Sequence, residues 1–179
     1  MATQGDHQAY ASLHKNLYPG LYSYLFQIVK DEDIVDDLLQ ELFVKLWHKR
    51  NKLGAIKNVK AYFFTASRSM AINYFRQVKS QAARLEKFTQ PEMDFSAEDI
   101  LVSAEDSTEL KTNMANALNS LPARQREIIY LKFYEEMEYQ KIAEVTGIQY
   151  QSVINHVFRA LQTLRSEFKQ HSGTTLACS

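Results

Sequence analysis

The fold class of this chain is decided by one stretch, residues 33–49, which reads DIVDDLLQELFVKLWHK. Residues four apart lie on the same face of an α-helix, so apolar pairs repeating at that interval form one continuous stripe. We expect Asp33 to cap the start of this helix, because an aspartate there accepts hydrogen bonds from the first turn. Acids near the start also suit the positive end of the helix dipole. The pairs are Ile34 and Val35, Leu38 and Leu39, Leu42 and Phe43, and Leu46 and Trp47.

The rest of the sequence also favours helices. The chain has 179 residues, only 5 Gly and 3 Pro, and long stretches of four-residue apolar spacing. We therefore predict an all-α protein of two small helical domains joined by an acidic linker, the C-terminal domain being a helix-turn-helix. Pro19 and Gly20 are expected to divide a first helix from a second that runs toward Lys30. The predicted bounds are 6–88 for the first domain, 89–112 for the linker, 113–170 for the second domain and 171–179 for a flexible tail.

The composition excludes several classes of protein. A single cysteine, Cys178, rules out a disulfide framework and any multi-cysteine zinc site. No apolar run approaches the roughly 18–20 residues needed to cross a bilayer, and residues 1–15 lack the apolar stretch of a secretory signal. We therefore expect a soluble cytoplasmic protein without membrane insertion. The five histidines are scattered and no Gly-rich phosphate loop is present, so we predict no catalytic site, metal, cofactor or small-molecule substrate.

The net charge of zero conceals a strong segregation of charge along the chain. Residues 31–44 hold six acids and no base, residues 45–87 hold eleven bases and one acid, and residues 88–113 hold seven acids and one base. A solvated surface seldom shows such blocks. We therefore read the neutral total as a cancellation, with a basic segment suited to DNA and two acidic segments suited to other roles.

Residues 139–165 have the pattern of a helix-turn-helix. Ala143 lets two helices cross closely, Gly147 takes the left-handed turn, and Val153 locks the crossing. The alternative is an antiparallel helix pair with a glycine turn and no DNA role. DNA binding is favoured because the second helix carries hydrogen-bonding side chains that suit base edges and phosphates. These are Gln151, Ser152, Asn155, His156 and Arg159.

A further polar face accompanies the apolar stripe of residues 33–49. An acid–amide–acid face on a rigid helix could dock a basic protein surface, and a merely solvated helix face is the alternative. No histidine or nucleophile stands at a spacing that would make the acids catalytic. The face consists of Asp37, Gln40, Glu41 and Val44.

Three motifs together resemble the extracytoplasmic-function (ECF) sigma factors, the small promoter-recognition subunits of bacterial RNA polymerase. Residues 62–76, YFFTASRSMAINYFR, resemble the family's promoter −10 helix, and residues 121–165 are similar to its −35-binding domain. The likeness covers residues 18–79 and 118–168. The family's core-binding pattern, acid-Leu-x-Gln-Glu-x-Phe-x-x-x-Trp, is met by Asp37, Leu38, Gln40, Glu41, Phe43 and Trp47.

The resemblance implies a sigma factor that directs core polymerase to promoters and melts them, and not an enzyme. Residues 6–88 would be sigma-70 region 2, which binds core polymerase and the −10 element, and residues 113–170 would be region 4, which binds the −35 element. The implied partners are promoter DNA, the clamp of the largest polymerase subunit, the flap of the second-largest, and an anti-sigma factor. The acidic linker, 89–112, would thread the channel used by nascent RNA, whose charge it could mimic.

The resemblance also implies roles for individual side chains. Tyr62 and Tyr74 are better candidates for contact with unstacked bases than the neighbouring phenylalanines, for which core packing is the favoured reading. Core polymerase would be bound by Asp37, Gln40, Glu41 and Val44. The −10 element would be contacted by Lys57, Lys60, Tyr62, Arg68, Ser69, Asn73, Tyr74, Arg76 and Lys79, and the −35 element by Gln151, Ser152, Asn155, His156 and Arg159.

Two departures from the family pattern affect the DNA contacts. Ser69 and Asn73 stand where the family commonly has Asn and Asp, which leaves the −10 base preference open. Ile154 and His156 stand where Lys and Arg are frequent, so we expect the −35 contacts to be less purely electrostatic. The main alternative function is a regulator whose helix-turn-helix binds DNA without polymerase, which leaves the acidic face unexplained. A helical interaction protein without a DNA role is the second alternative.

Overall fold

The computed structural model describes residues 7–50, 54–82, 92–100 and 108–174. These residues form helices and connecting turns and contain no strand, which confirms the all-α prediction. The helices are α1 (His7–Val29), α2 (Glu32–His48), α3 (Val59–Ala82), α4 (Thr108–Ser120), α5 (Ala123–Phe133), α6 (Tyr139–Thr146) and α7 (Tyr150–Thr174), with a 3-10 turn at Ala97–Asp99. The chain separates into two compact units, one up to Pro91 and one from Glu92. Residues Glu144–Gly147 complete α6 and its turn, so they belong to the helix-turn-helix.

The first unit is built on the apolar stripe of α2, which packs between α1 and α3. Val35, Leu39 and Leu42 of the stripe are almost completely buried. Phe63 and Phe64 of α3 are also fully buried, as expected for core packing, whereas Phe75, the third phenylalanine of residues 62–76, is only partly buried. The stripe is therefore the surface that holds the three helices together.

The predicted cap of α2 was wrong by two residues. Asp31, in an extended conformation, caps the helix by accepting a hydrogen bond from the backbone N–H of Ile34 at 3.1 Å. Asp33 lies inside the first turn instead. The reason is local, because Lys30 takes a left-handed backbone angle (φ 57°) directly after α1, which leaves Asp31 as the first residue able to cap.

The predicted break at Pro19 was also wrong, since α1 runs without interruption through it. A proline inside a helix removes one backbone hydrogen bond and costs about 3 kcal/mol. Packing on α2 offsets that cost on both sides of Pro19. Tyr10 donates its hydroxyl proton to the carbonyl of Phe43, and Leu21 and Leu25 beyond the proline are fully buried.

The second unit contains the predicted helix-turn-helix, formed by α6 and α7. Gly147 has a φ of +69°, which is the left-handed turn that the spacing predicted. Val153 of α7 is fully buried and Ala143 of α6 nearly so, as the motif requires. One outer face of α7 is thereby left toward solvent, while Val157 and Ala160 point into the core.

Part of the predicted linker packs on the second unit. Phe95 is 3% exposed, and its backbone N–H and carbonyl are both hydrogen-bonded to the side-chain amide of Asn119, at 2.9 and 2.8 Å. Its ring lies 5.7 Å from that of Tyr134, and Met93 and Ile100 on either side are buried. The region predicted as linker also includes the first turn of α4. It is therefore not a uniformly solvated connection, although residues 83–91 and 101–107 lie outside the described ranges.

Within the described ranges, no helix is long and apolar enough to cross a membrane. The predicted C-terminal tail falls partly outside those ranges, since the description ends at Thr174 inside α7.

The packing of Phe95 leads to a stability prediction. Phe95→Ala should lower the free energy of unfolding of the second unit by about 3 kcal/mol, because it removes a buried aromatic ring and leaves a cavity. Phe158→Ala is the matched control, since that ring is 61% exposed and its removal creates no cavity. Denaturant unfolding of the full chain measures both. Equal effects of the two substitutions would mean that residues 92–100 do not contribute to the fold.

Candidate functional site

The acidic face predicted on α2 is present as one exposed surface. Asp37, Gln40, Glu41 and Val44 are all exposed, and Val44, an apolar residue, is 50% accessible. Glu41 forms an ion pair with Lys45 on the next turn, at the surface. A carboxylate, an amide and an exposed valine side by side offer both charge and apolar contact to a partner.

Several predicted residues share one exposed face of α3. Tyr62, Ser69, Asn73 and Arg76 are exposed and recur at helical spacing, and a guanidinium N–H of Arg76 donates to the side-chain oxygen of Asn73 at 3.4 Å. Ser69 donates its hydroxyl proton to the carbonyl of Thr65 at 2.9 Å. This face presents an aromatic ring at one end and hydrogen-bonding groups along its length.

The other residues predicted to contact the −10 element lie at the margins of this exposed face of α3. Lys60 and Arg68 are partly buried, and the ammonium of Lys60 lies 5.6 Å from the ring centre of Phe64. Lys57 is exposed just before α3, whose start is capped by the side chain of Asn58 accepting from the N–H of Ala61 at 3.1 Å. The side chain of Lys79 lies outside the described residues.

A cleft of about 340 Å³ between α2 and α3 joins the two predicted sets. Asp37 and Glu41 line it from α2, and Asn73 and Tyr74 line it from α3. Sequence reasoning missed this contact because helical periodicity places residues on a face but does not say which face of the next helix lies beside it. Carboxylates in the wall of the cleft disfavour phosphate there, so Asn73 and Tyr74 do not face a purely basic surface.

The outer face of α7 carries the residues predicted for the second unit. Gln151, Asn155 and Arg159 are exposed, and Ser152 and His156 are half-buried beside them. The amide N–H of Gln151 donates to the side-chain oxygen of Asn155 at 3.4 Å. The five predicted side chains therefore form one surface of hydrogen-bonding groups.

Arg124 of α5 is a functional candidate that sequence reasoning missed. Burial and, after it, the positive charges of Arg124 and Arg159 lower the pKa of His156 below 6.5. Arg124 is held by Glu127, which is fully buried, with a guanidinium nitrogen 3.3 Å from the carboxylate. The sequence signalled only where α5 begins, through Pro122. It gave no indication that Arg124 would lie near α7. Arg124 and Arg159 make the surface around His156 locally cationic and suited to phosphate.

The fold and these surfaces define the class: a two-unit helical protein with an acidic face in one unit and a helix-turn-helix in the other. Residues 13–81 match the family model for Sigma-70 region 2, and residues 111–164 match that for Sigma-70, region 4. The two matches together span more than half of the chain. The chain therefore belongs to the sigma-70 family, as a transcription-initiation sigma factor of the ECF type.

Curated relatives agree over most of the length. The chain is 27% identical over 144 residues to RNA polymerase sigma factor SigV of Bacillus subtilis, a match that covers 80% of this chain and 81% of that protein. It is 23% identical over 150 residues to ECF RNA polymerase sigma factor SigM of the same species, covering 84% and 89%.

Solved structures show the same fold. The sigma factor RpoE of Bartonella quintana, in complex with the anti-sigma factor NepR, matches with a TM-score of 0.63 and 22% identity, over 90% of this chain and 98% of that one. CnrH, in complex with the cytosolic domain of CnrY, matches with a TM-score of 0.61 and 20% identity, over 94% and 93%.

The environment of His156 leads to a prediction about pH. Because its folded pKa lies below 6.5, the unfolded chain binds more protons than the folded chain between that lowered pKa and 6.5. The free energy of unfolding should therefore rise with pH across this window and fall as the pH drops through it. His156→Gln should remove that part of the pH dependence. Denaturant unfolding of both proteins between pH 5.5 and 7 tests this, and parallel curves would contradict it.

Proposed function

We propose that the two units divide promoter recognition between them, the first binding core RNA polymerase and the −10 element and the second binding the −35 element. In this proposal residues 6–88 act as region 2 and residues 113–170 as region 4. One observation carries the proposal: α2 exposes an acidic face while α3, packed beside it, exposes an aromatic and polar face in the same unit. Polymerase docking and base capture would then occur on one rigid body.

Core polymerase is proposed to bind Asp37, Gln40, Glu41 and Val44. Their exposure on one side of α2 supports this, since the opposite side of the helix is occupied by the core. The curated relatives are RNA polymerase sigma factors, which supports polymerase as the partner. The carboxylates would pair with basic side chains of the clamp, and the exposed valine would add apolar contact beside them.

The −10 element is proposed to bind the exposed face of α3. An aromatic ring can stabilise an unstacked base by about 1–3 kcal/mol, which helps a promoter to open. Tyr62 fits this role because it is exposed at the start of the helix. Asn73 and Ser69 would contact base edges, while Lys57, Lys60, Arg68, Arg76 and Lys79 would neutralise phosphates. Tyr74, in the cleft, would contribute from the side.

The −35 element is proposed to bind the outer face of α7 in the major groove. Gln151, Ser152 and Asn155 would read base edges, and Arg159 and His156 would contact phosphate. Arg124 is added to this set because its charge reaches the same surface from α5. Glu127 would position Arg124 without touching DNA.

The same proposal includes a cytoplasmic, non-enzymatic role without cofactor or metal. Sigma factors act on polymerase, which supports both the cytoplasmic location and the non-enzymatic role. Among the described residues, no cluster of histidine, cysteine or acidic side chains could hold a metal ion. An anti-sigma factor is proposed as a regulatory partner, and the flap of the second-largest polymerase subunit as a contact of the second unit. The solved RpoE structure contains an anti-sigma factor, which supports the former.

The polymerase contact is tested by charge removal on α2. The double variant Asp37→Ala, Glu41→Ala should weaken binding to core polymerase at least about tenfold, because buried interface charges lose their partners. Glu144→Ala, an exposed acid of α6 outside the proposed contact sets, is the control and should bind normally. Binding is measured with labelled sigma factor and purified core enzyme. Normal affinity of the double variant would favour a DNA-binding regulator that acts without polymerase.

The −35 contact is tested with the reconstituted holoenzyme. Arg159→Ala should lower affinity for all promoters and reduce the dependence on salt, because a phosphate contact carries no sequence information. Asn155→Ala should instead change which −35 sequence is preferred. Gln162→Ala, exposed one turn further along α7, is the control. An unchanged sequence preference in Asn155→Ala would exclude the base-reading role.

A further inference from the structure

A short segment that precedes α4 lies on the second unit, and no part of the proposed function uses it. We call residues 92–100 the clip. Its side chains alternate, since Met93 and Phe95 are buried while Glu92 and Asp94 are exposed. Alternation with a period of two is the pattern of an extended segment that packs one face on a core. The clip is therefore part of the second unit.

Hydrogen bonds fasten the clip at its centre and close a turn near its end. The side-chain amide of Asn119, at the end of α4, accepts from the N–H of Phe95 at 2.9 Å and donates to its carbonyl at 2.8 Å. One amide thus satisfies both backbone groups of a buried residue. Further along, the carboxylate of Asp99 accepts from the N–H of Ser96 at 2.7 Å, just before the buried Ile100. Loss of the Asn119 amide would leave the backbone of Phe95 without these partners, so Asn119 controls whether the clip stays docked.

Docking of the clip shortens the connection between the two units. With the clip docked, nine residues (83–91) connect α3 to the second unit, whereas release of the clip leaves 25 residues (83–107) before α4. An extended chain spans at most about 3.5 Å per residue. The connection therefore reaches at most roughly 35 Å in the first case and roughly 90 Å in the second.

The span that matters is the distance between two promoter elements. Elements centred at −10 and −35 lie about 25 base pairs apart, which is about 85 Å along B-DNA. The units themselves cover part of that distance, and the connection must cover the rest. When one chain carries two binding units, simultaneous binding is most favourable where the length of the connection matches the span between the two sites.

We propose that the clip sets the spacing between promoter elements that the chain accepts. The docked clip favours short spacers, and its release supplies the length that longer spacers need. Phe95 and Asn119 are positioning residues in this role, because they act through the length of the connection and do not touch DNA. This inference rests on the proposed function, since it requires that each unit binds one element.

The test measures spacer tolerance with reconstituted holoenzyme. The probe is a promoter mapped by in vitro transcription of the organism's own genomic DNA, with up to about four base pairs inserted into its spacer, at about 3.4 Å each. The unaltered chain should lose affinity as the spacer grows. Asn119→Ala should lose about threefold less at the longest spacer, because the released clip adds length. Insertion also rotates the −35 element about the DNA axis, but equally for every variant, so the ratio between variants reports on length.

Two further variants complete the test. Asn116→Ala removes an exposed amide of the same helix and is the matched control, which should keep the spacer profile of the unaltered chain. About six Gly-Ser residues inserted between Pro91 and Glu92 lengthen the connection with the clip intact and should give the same gain at long spacers as Asn119→Ala.

The outcomes separate the clip from the proposed function. Equal spacer profiles for Asn119→Ala and Asn116→Ala would overturn the role of the clip, and so would a gain that only the insertion variant shows. If replacing the −35 sequence leaves the affinity of the unaltered chain unchanged, the proposed function itself is overturned. Should Asn119→Ala lose helical content in circular dichroism, Asn119→Asp replaces it, because a carboxylate still accepts from the N–H of Phe95 but repels its carbonyl.

Discussion

The first unit depends on the burial of one apolar stripe on α2. Leu39 and Leu42 are almost inaccessible because α1 and α3 both pack on that stripe, and the hydrophobic effect fixes the rotation of α2 about its axis. Once this rotation is set, Asp37 and Glu41 can only face outward. The surfaces on either side follow from it. Stacked rings of α1, such as Tyr18 and Tyr22, lie along one flank of α2, and the cleft with α3 lies along the other.

The second unit depends on a different constraint, the packing of α7 on α5 and α4. Gly147 permits the tight turn into α7, which buries Val153 and Val157 and exposes Asn155. Packing also fixes the position of a charged group, since Glu127 is fully buried. A buried carboxylate requires a partner, and it holds Arg124 toward the surface that carries His156. Packing thus determines where the cationic groups lie.

Features set by short-range periodicity could be predicted from the sequence, and features set by contacts between distant segments could not. The stripe of α2 and the turn at Gly147 are local patterns, and both were predicted correctly. Pro19 was misread because its local cost is offset by packing on α2. The docking of Phe95 depends on Asn119, 24 residues away, and no periodicity signals such a pair. For the same reason the cleft between α2 and α3 was missed.

The neutral net charge can be understood from where the charged side chains lie in the structure. Asp37 and Glu41 lie on α2 and border the cleft with α3, so phosphate is disfavoured on that side of the first unit. Tyr62 and Arg76 are exposed on α3 and do not line this cleft. A nucleic acid strand bound along that face would therefore avoid the carboxylates of Asp37 and Glu41. In the proposed function, the chain would therefore bind DNA weakly alone, because its own acids reduce the attraction. Pairing those acids with basic groups of polymerase would remove that repulsion, so that polymerase binding and DNA binding favour each other.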